Sequence, residues 1–181
     1  LIVKNVPTAL LFDKDNAQLI TAVANLPSVV SVTATDINLT EQVRGGVELT
    51  WPNGQVVDGV APSVVTNFNV VDTLGLTLLA GRDFSEQYQG DWHQKMADGS
   101  EHVALIVTES MTRLAGYESV HEVLGMTLSN ADTKLNANIV GVVADVKVGS
   151  AKQAMIPLSF NLARDYLPYG NMVIKVSKDA S

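Results

Sequence analysis

The chain has 181 residues, 46% of them hydrophobic and 17% charged, which are values typical of a globular protein with a substantial core. It contains no cysteine, so disulfides and thiolate metal sites are excluded. Because 19 acidic and 12 basic residues give a net charge of −7 without any basic cluster, we expect no nucleic-acid partner.

The first elements that the pattern predicts are a strand, a helix and a second strand. Residues 1–11 indicate an extended strand bent at Pro7, and Asp13 or Asp15 is the expected N-cap of the helix. The β-branched run 29–35 predicts the second strand. The helix is indicated by the apolar stripe Leu19, Ile20, Val23 and Leu26, and its end by Pro27.

In the middle of the chain the apolar residues recur at every second position, which is the period of a β-strand. Leu49 and Trp51 alternate with polar residues, and the turn Pro52-Asn53-Gly54 follows, so we predict a β-hairpin within residues 42–60. Residues 68–74 return to helical spacing, with Gly75 where a left-handed C-cap is expected. An apolar strand over 76–79 comes next.

Residues 85–101 form a long polar connection, and loops of this length are uncommon in compact domains unless they are functional or disordered. Tyr88, Trp92 and Met96 recur in it at a spacing of four, which would place them on one face of a helix. These residue types are enriched in interface cores, so they are candidate partner contacts. A disordered or core-capping loop is an equally open alternative.

The second half predicts a strand over 102–107 and a helix over 108–115. Ser119 and Glu122 fit a capping box, so we expect another short helix that Gly125 ends. A hairpin over 126–146 and a final strand over 171–176 follow. The inward residues expected of the 108–115 helix are Met111, Leu114 and Ala115. The hairpin's second strand is apolar on both faces from Ile139 onward, which is typical of a central strand, and its apolar run is far shorter than the roughly 20 residues of a membrane-spanning helix.

Catalytic and cofactor motifs are missing from the sequence. His93, His102 and His121 are separated by nine and nineteen residues, a spacing that matches no compact metal signature. There is no nucleophile elbow and no glycine-rich phosphate cradle. We therefore predict no catalytic, cofactor-binding or metal-binding residue, and a protein that is not an enzyme.

Arg82 and Asp83 form a charged pair beside apolar residues. They could serve in recognition, but a guanidinium in such surroundings requires paired acceptors, so a structural tie between two lobes is the favoured interpretation. The expected acceptors are backbone carbonyls or a carboxylate such as Asp145.

Three stretches together resemble a known family. They are Gly-Arg-Asp-Phe at 81–84 after a helix and an apolar strand, the run 103–109, and Ile-Val-Gly-Val-Val-Ala-Asp-Val at 139–146. Their combination and order resemble the MacB-like periplasmic core domain, the extracytoplasmic part of ABC transporter permeases of the MacB/FtsX type. The resemblance covers nearly the whole chain.

This resemblance implies an α+β fold with two lobes. A porter-like α/β lobe would comprise residues 1–38 and 152–181, and a β-rich lobe, residues 39–151, would be inserted between them. The junction of the two lobes would consist of Gly81, Arg82, Asp83, Phe84 and Asp145.

The resemblance also implies a function. The chain would be an excised extracytoplasmic piece of an inner-membrane permease that acts as a dimer with a second copy and with a cytoplasmic ATPase subunit or domain. It would bind no cofactor, and an envelope partner protein or a hydrophobic or peptide substrate would complete the system. The output would be export, lipoprotein release or activation of an envelope enzyme. The alternative is a free-standing extracytoplasmic module that binds a peptide or lipid.

Overall fold

A computed structural model describes residues 1–12, 18–38, 46, 48–56, 62–147, 156–162 and 168–178. In these ranges the chain forms a mixed α/β fold with one mixed sheet. The strands are β1 (Ile2–Pro7), β2 (Val29–Thr35), β3 (Ser63–Thr66), β4 (Leu78–Gly81), β5 (Gln94–Lys95), β6 (Glu101–Thr108), β7 (Thr127–Asn130), β8 (Leu135–Val143), β9 (Ser159–Leu162) and β10 (Tyr169–Val176). The helices are α1 (Thr8–Leu11), α2 (Gln18–Ala24), α3 (Val70–Leu74) and α4 (Glu109–Leu114), with a 3₁₀ turn at Gln89–Asp91. None of these helices has the length and hydropathy needed to cross a membrane.

The strands of the sheet follow the order β1-β10-β2-β3-β9-β6-β8-β4, with β5 added beside β6 and β7 beside β8. The pairs β3–β9 and β6–β8 are parallel, and the other pairs are antiparallel. The last strand inserts between the first two, so both ends of the chain lie in the same part of the sheet.

Strand β6 lies at the centre of the larger part of the sheet, and both of its faces are apolar. Ala104 and Ile106 belong to a core cluster with Phe160, whereas Val103, Leu105 and Val107 face a second cluster around Trp51 and Leu128. Successive side chains of a strand point to opposite faces, so a continuous apolar run is what a doubly covered strand requires. A third, smaller cluster lies between α1, α2 and the strands β1, β10 and β2.

Several local predictions are confirmed. Gly75 is the left-handed C-cap of α3, with φ of 66°. The turn before Gln55 is closed by a hydrogen bond from the Gly54 amide to the Trp51 carbonyl, and Thr50 pairs with Val56 across it. The rest of that hairpin, at 42–45, 47 and 57–60, and the N-cap at Asp13 or Asp15 lie outside the described residues. The hairpin over 126–146 is present as β7 and β8.

Three local predictions are wrong. The extended strand ends at Pro7, and the next four residues form α1, since proline before the first turn removes no helical hydrogen bond. Ser119 does not begin a helix: its hydroxyl accepts the His121 amide, and the segment to Gly125 consists of turns. Leu114 is 59% exposed, whereas Met111 and the C-cap residue Ala115 are buried in the core as expected.

The two lobes expected from the sequence are joined by one sheet. One contact between residues 1–38 and residues 39–151 is the pairing of β2 with β3, which has a single registered position, Thr35 with Thr66. Strand β9, which belongs to the segment 152–181, lies between β3 and β6 of the segment 39–151. The division into one lobe of residues 1–38 with 152–181 and another of residues 39–151 therefore stays a prediction. The sheet itself runs without interruption from one of these lobes into the other.

Candidate functional site

The junction predicted at residues 81–84 begins where the backbone of β4 pairs closely with that of β8. Gly81 has φ of 75°, and a Cβ built on it would lie 2.3 Å from the Val140 carbonyl oxygen. A Cβ on Gly141 would lie 2.4 Å from the Arg82 carbonyl oxygen. Only glycine fits at either position, so the two glycines allow the backbones to touch and fix where the chain leaves β4.

Arg82 is held by a carboxylate and an aromatic ring. Its two terminal nitrogens donate to the Asp91 carboxylate at 2.5 and 2.8 Å, and one of them also donates to the Asp83 carbonyl at 3.0 Å. The guanidinium carbon lies 3.9 Å from the ring centroid of Tyr88. The Asp91 side chain is only 2% exposed and also accepts the Ser85 amide at 2.9 Å. This fork geometry closes residues 82–91 into a loop anchored at both ends, and the Asp91 hydrogen bonds raise the pKa of Arg82 further.

Asp83 has a separate task at the start of α3. The residue at the N-cap position, Asn69, makes no side-chain capping bond, and the Val71 amide instead donates to Asp83 at 2.9 Å. The other carboxylate oxygen accepts the Phe84 amide at 2.7 Å. Burial raises the pKa of Asp83 above its ordinary value. Asp83 thus connects the end of β4 to α3, and Phe84 fills the core beside it.

Asp145 is not the partner of Arg82, so this part of the expectation is wrong, whereas the expected backbone carbonyl acceptor is present at Asp83. Its carboxylate accepts the Ser110 amide at 2.8 Å and pairs with Arg113 at 3.2 Å, both on α4. Asp91 lies nine residues from Arg82 in a polar run with several other carboxylates. Nothing in the sequence distinguishes it from Asp98 or Glu86, because pairing depends on where the loop returns in space.

Tyr88, Trp92 and Met96 do not share one helical face. A 3₁₀ turn separates the first two, and Trp92 itself is extended. Trp92 is half-buried and packs edge-to-face on Phe68 with ring centroids 4.8 Å apart. Tyr88 covers Arg82 and is 53% exposed, while Met96 follows β5 and is 44% exposed. Their assignment as partner contacts stays a prediction, but they cannot contact a partner as one stripe in this conformation.

The three histidines, whose spacing in the sequence matches no metal signature, are dispersed in the structure. His93 is largely buried with its Nε2 3.0 Å from Glu101, His102 lies on β6, and His121 is exposed in a turn. In the part of the chain that the structure describes, no cluster of three or more histidine and carboxylate side chains is placed to hold a metal ion.

A cleft of about 600 Å³ opens beside the anchored loop. One wall comes from α1, α2 and β2, and the other from residues 67–69 and 86–92. Its apolar surface is formed by Phe12, Ile20, Val32, Phe68 and Trp92. Its polar rim includes Thr21, Asn69, Glu86, Gln87 and Gln89. No pattern in the sequence indicated this cleft, since its two walls come from segments that are far apart along the chain.

The pairing of β2 with β3, called the β2–β3 seam here, borders the cleft. Polar side chains make several hydrogen bonds across it. The Thr66 hydroxyl donates to the Ala34 carbonyl at 2.9 Å, and the Thr33 hydroxyl donates to the Asn67 carbonyl at 3.1 Å. Asp36 exchanges two bonds with Val65, each of 3.0 Å, one through its amide and one through its carboxylate. Burial raises the pKa of Asp36 to about 6. The sequence predicted a strand at Thr33 and none at Thr66, so it gave no sign of this seam.

No protein-family model and no curated protein matches the sequence. Solved structures do match. The periplasmic region of MacB from Actinobacillus actinomycetemcomitans superposes with a TM-score of 0.60 at 15% identity, covering 99% of this chain and 68% of that one. A domain of a protein described as a permease from Porphyromonas gingivalis has a TM-score of 0.53 at 18% identity, covering 98% of this chain and 63% of that one.

A third match is the extracellular domain of the noncanonic ABC-type transporter YknZ from Gram-positive bacteria. Its TM-score is 0.53 at 11% identity, and the alignment covers 99% of this chain and 85% of that one. At such identities the likeness establishes a shared fold. The chain therefore has the fold of periplasmic and extracellular permease domains, as the sequence resemblance predicted.

Proposed function

We propose that this chain is the extracytoplasmic domain of an ABC transporter permease, in which it converts ATP-driven movement of the membrane part into movement outside the membrane. The observation that carries the proposal is the match of 99% of the chain to the periplasmic region of MacB and to the extracellular domain of YknZ. The motifs at 81–84 and 139–146, which suggested this family from sequence, lie together at the β4–β8 crossing.

In this proposal the partners are a second copy of the permease and a cytoplasmic ATPase subunit or domain. The domain itself binds no nucleotide and performs no chemistry. Its task is mechanical, so the relevant properties are which parts move together and where they are joined.

The anchored loop suits such a task. Gly81 and Gly141 fix β4 against β8, Arg82 and Asp91 close the loop, and Asp83 connects it to α3. Helix α3 in turn reaches the other part of the sheet, because Asp72 pairs with Lys175 on β10 at 2.6 Å. We infer that the junction transmits displacement between the two parts of the sheet.

The placement outside the membrane is tested with a single cysteine at Gly90. This residue is exposed, and a Cβ built on it meets no atom within 4 Å. In the full-length protein, cleared of any other cysteine, Gly90→Cys should react with a membrane-impermeant thiol reagent in cells whose outer membrane, where present, is permeabilised. The protein should remain in the membrane fraction. Ala137→Cys is the matched control, because this site on β8 is fully buried and should stay unlabelled until the protein is denatured.

Two results would contradict the proposal. Protection of the Gly90→Cys site until the cytoplasmic membrane is broken would place the domain in the cytoplasm. Labelling together with release into the fraction outside the membrane would favour the free-standing binding module instead.

A further inference from the structure

We propose that the cleft between α2 and the anchored loop binds an extended peptide segment that presents a basic residue next to apolar side chains. The inference rests on the proposed function in one respect only, which is that the segment would belong to a protein of the cell envelope. Three features of the cleft support this proposal: its shape, the hydrogen-bonding groups of its rim, and its charge.

The size and floor of the cleft suit a few side chains. A volume of about 600 Å³ falls within the range of ligand-binding sites. Phe12 and Ile20 on one wall and Trp92 on the other offer apolar surface that remains partly accessible, whereas Phe68 is buried against Trp92. Exposed aromatic surface at the base of a polar opening favours an apolar side chain that is inserted from above.

The rim carries unused carboxamides. Within the described ranges, the side chains of Asn69, Gln87 and Gln89 make no hydrogen bond, and all three are exposed. Asn67, deeper in the cleft, differs because its amide is committed to the Leu11 carbonyl at 2.6 Å and to the Phe68 amide at 2.8 Å. A carboxamide offers both a donor and an acceptor, which is the complement of a peptide group. Three free carboxamides at the rim of a cleft with a partly apolar floor therefore favour a peptide backbone over a hydrocarbon ligand.

The charge of the cleft selects a cation. Glu86 is the one ionisable side chain among the described residues that line it. The nearby Arg82 is occupied by Asp91 and Tyr88, so it does not neutralise Glu86. The chain also carries a net charge of −7, which disfavours an acidic partner over the whole surface.

Binding of synthetic peptides tests the proposal. The probe is the blocked pentapeptide Gly-Lys-Leu-Leu-Gly, compared by isothermal titration calorimetry with Gly-Glu-Leu-Leu-Gly and Gly-Lys-Ser-Ser-Gly on the purified 181-residue chain. We expect the lysine–leucine peptide to bind with a Kd of roughly 0.1–1 mM, as is usual for a short flexible ligand. The other two should bind about tenfold more weakly.

Three variants assign the binding to the cleft. Glu86→Gln should reduce the preference for lysine over glutamate about threefold to fivefold, the range of an exposed ion pair. Gln87→Trp and Gln89→Trp each place a large ring at an exposed rim position and should lower all binding more than tenfold; two such variants are used so that a folding defect in one leaves the other informative. Glu118→Gln, an exposed glutamate outside the cleft, is the matched control and should change nothing.

The proposal is overturned if no peptide binds at 10 mM, if lysine and glutamate peptides bind equally, or if both tryptophan variants bind normally. Equal binding of naphthylethylamine and the lysine–leucine peptide would overturn it in favour of a site for small organic cations. These outcomes are independent of the Gly90→Cys labelling, which tests location and not ligand binding. Failure of one experiment is therefore distinguishable from failure of the other.

Discussion

The pairing of β6 with β8 and the pairing of β2 with β3 are the two extremes of the same sheet. The β6–β8 pair has eight registered positions, from Glu101 to Thr108, and its strands are apolar on both faces. The β2–β3 seam has one registered position, and side chains supply much of its hydrogen bonding. The first pair is held by burial, which is non-directional and collective, and the second by a few directional bonds.

This difference indicates where the molecule can move. Local opening requires little free energy where few apolar contacts and few ladder bonds must be broken. The seam meets that description and the β6–β8 pair does not. We therefore expect the part of the sheet around β1, β10 and β2 to shift against the rest at the seam, with α3 and the Arg82 junction limiting the motion.

The largest effect should come from the β6–β8 pair. Ile106 is fully buried in the core cluster that also holds Phe160. Ile106→Ala removes three carbon atoms from a close-packed site and should lower the free energy of unfolding by about 2–5 kcal/mol. Urea unfolding followed by circular dichroism measures the change. The matched control is Val30→Ala on exposed surface, which should cost less than about 0.5 kcal/mol. A loss below about 1 kcal/mol for Ile106→Ala would contradict the assignment of this strand to the core.

A smaller effect, and one that depends on pH, should come from Asp36 at the seam. Burial raises its pKa from 3.8 to about 6 in the folded chain, so the folded state binds the proton more tightly than the unfolded state. Stability should therefore fall as the pH rises from about 4 to about 6 and then level off. Asp36→Asn keeps an oxygen that can accept the Val65 amide and removes the ionisation.

The two chains should diverge by about 2–3 kcal/mol over this window, with Asp36→Asn gaining relative to the parent chain as the pH rises. Urea unfolding at pH 4, 5, 6 and 7 provides the comparison. Asp132→Asn, in the β7–β8 turn, is the control and should retain the slope of the parent. A parallel pH profile for Asp36→Asn and the parent would show that Asp36 is not buried at the seam.

Arg82 connects the two regions, and its removal should have an intermediate effect. Arg82→Ala leaves the buried Asp91 carboxylate with the Ser85 amide as its remaining partner. Because Arg82 is itself 35% exposed, solvent screens part of the interaction, and we expect a loss of about 2 kcal/mol. For a chain of this size this corresponds to a Tm lowered by roughly 4–8 °C in a thermal melt.

A double variant separates charge from packing at this site. Arg82→Ala combined with Asp91→Asn removes the unpaired charge and should recover part of the lost Tm. Arg82→Lys keeps the charge but loses the bidentate fork, so it should fall between Arg82→Ala and the parent. An unchanged melting curve for Arg82→Ala would instead indicate that the residue serves recognition at the surface.

The smallest effect on global stability should come from a single hydroxyl of the seam. Thr66→Val keeps the shape of the side chain and removes the bond to the Ala34 carbonyl. The expected cost is about 1 kcal/mol, typical of a buried hydrogen bond. Exchange of the Val65 and Asp36 amides should accelerate while exchange in β6 stays constant. Equal acceleration in both places would mean that the seam opens only with the whole molecule.

The contrast between the two regions also explains how much could be predicted from sequence. The apolar runs of β6 and β8 allowed these strands to be predicted, and the glycine after Leu74 identified the end of α3. The β2–β3 seam could not be predicted from sequence. The hydrogen bonds of Thr33 and Thr66 form only when β3 lies beside β2, and no sequence pattern indicates that pairing. The same limit applies to the candidate site.

Arg82 was correctly expected to need paired acceptors, since its chemistry requires them in any fold. Its partner Asp91 and the walls of the cleft depend on tertiary geometry, which brings together segments that the sequence separates. The spacing of Tyr88, Trp92 and Met96 was misleading for a related reason: the Arg82–Asp91 pair bends the segment, and an isolated helical period cannot compete with that constraint.

Native-state hydrogen exchange of the 181-residue chain tests the central contrast most directly. The amides of Asp36, Val65 and Asn67 report on the seam, and those of β6 report on the β6–β8 pair. We expect the seam amides to exchange through an opening that costs at least about 2 kcal/mol less than the opening of β6, with little dependence on denaturant. Exchange of both sets at one free energy, equal to that of global unfolding, would contradict it and would remove the seam as the place where this domain moves.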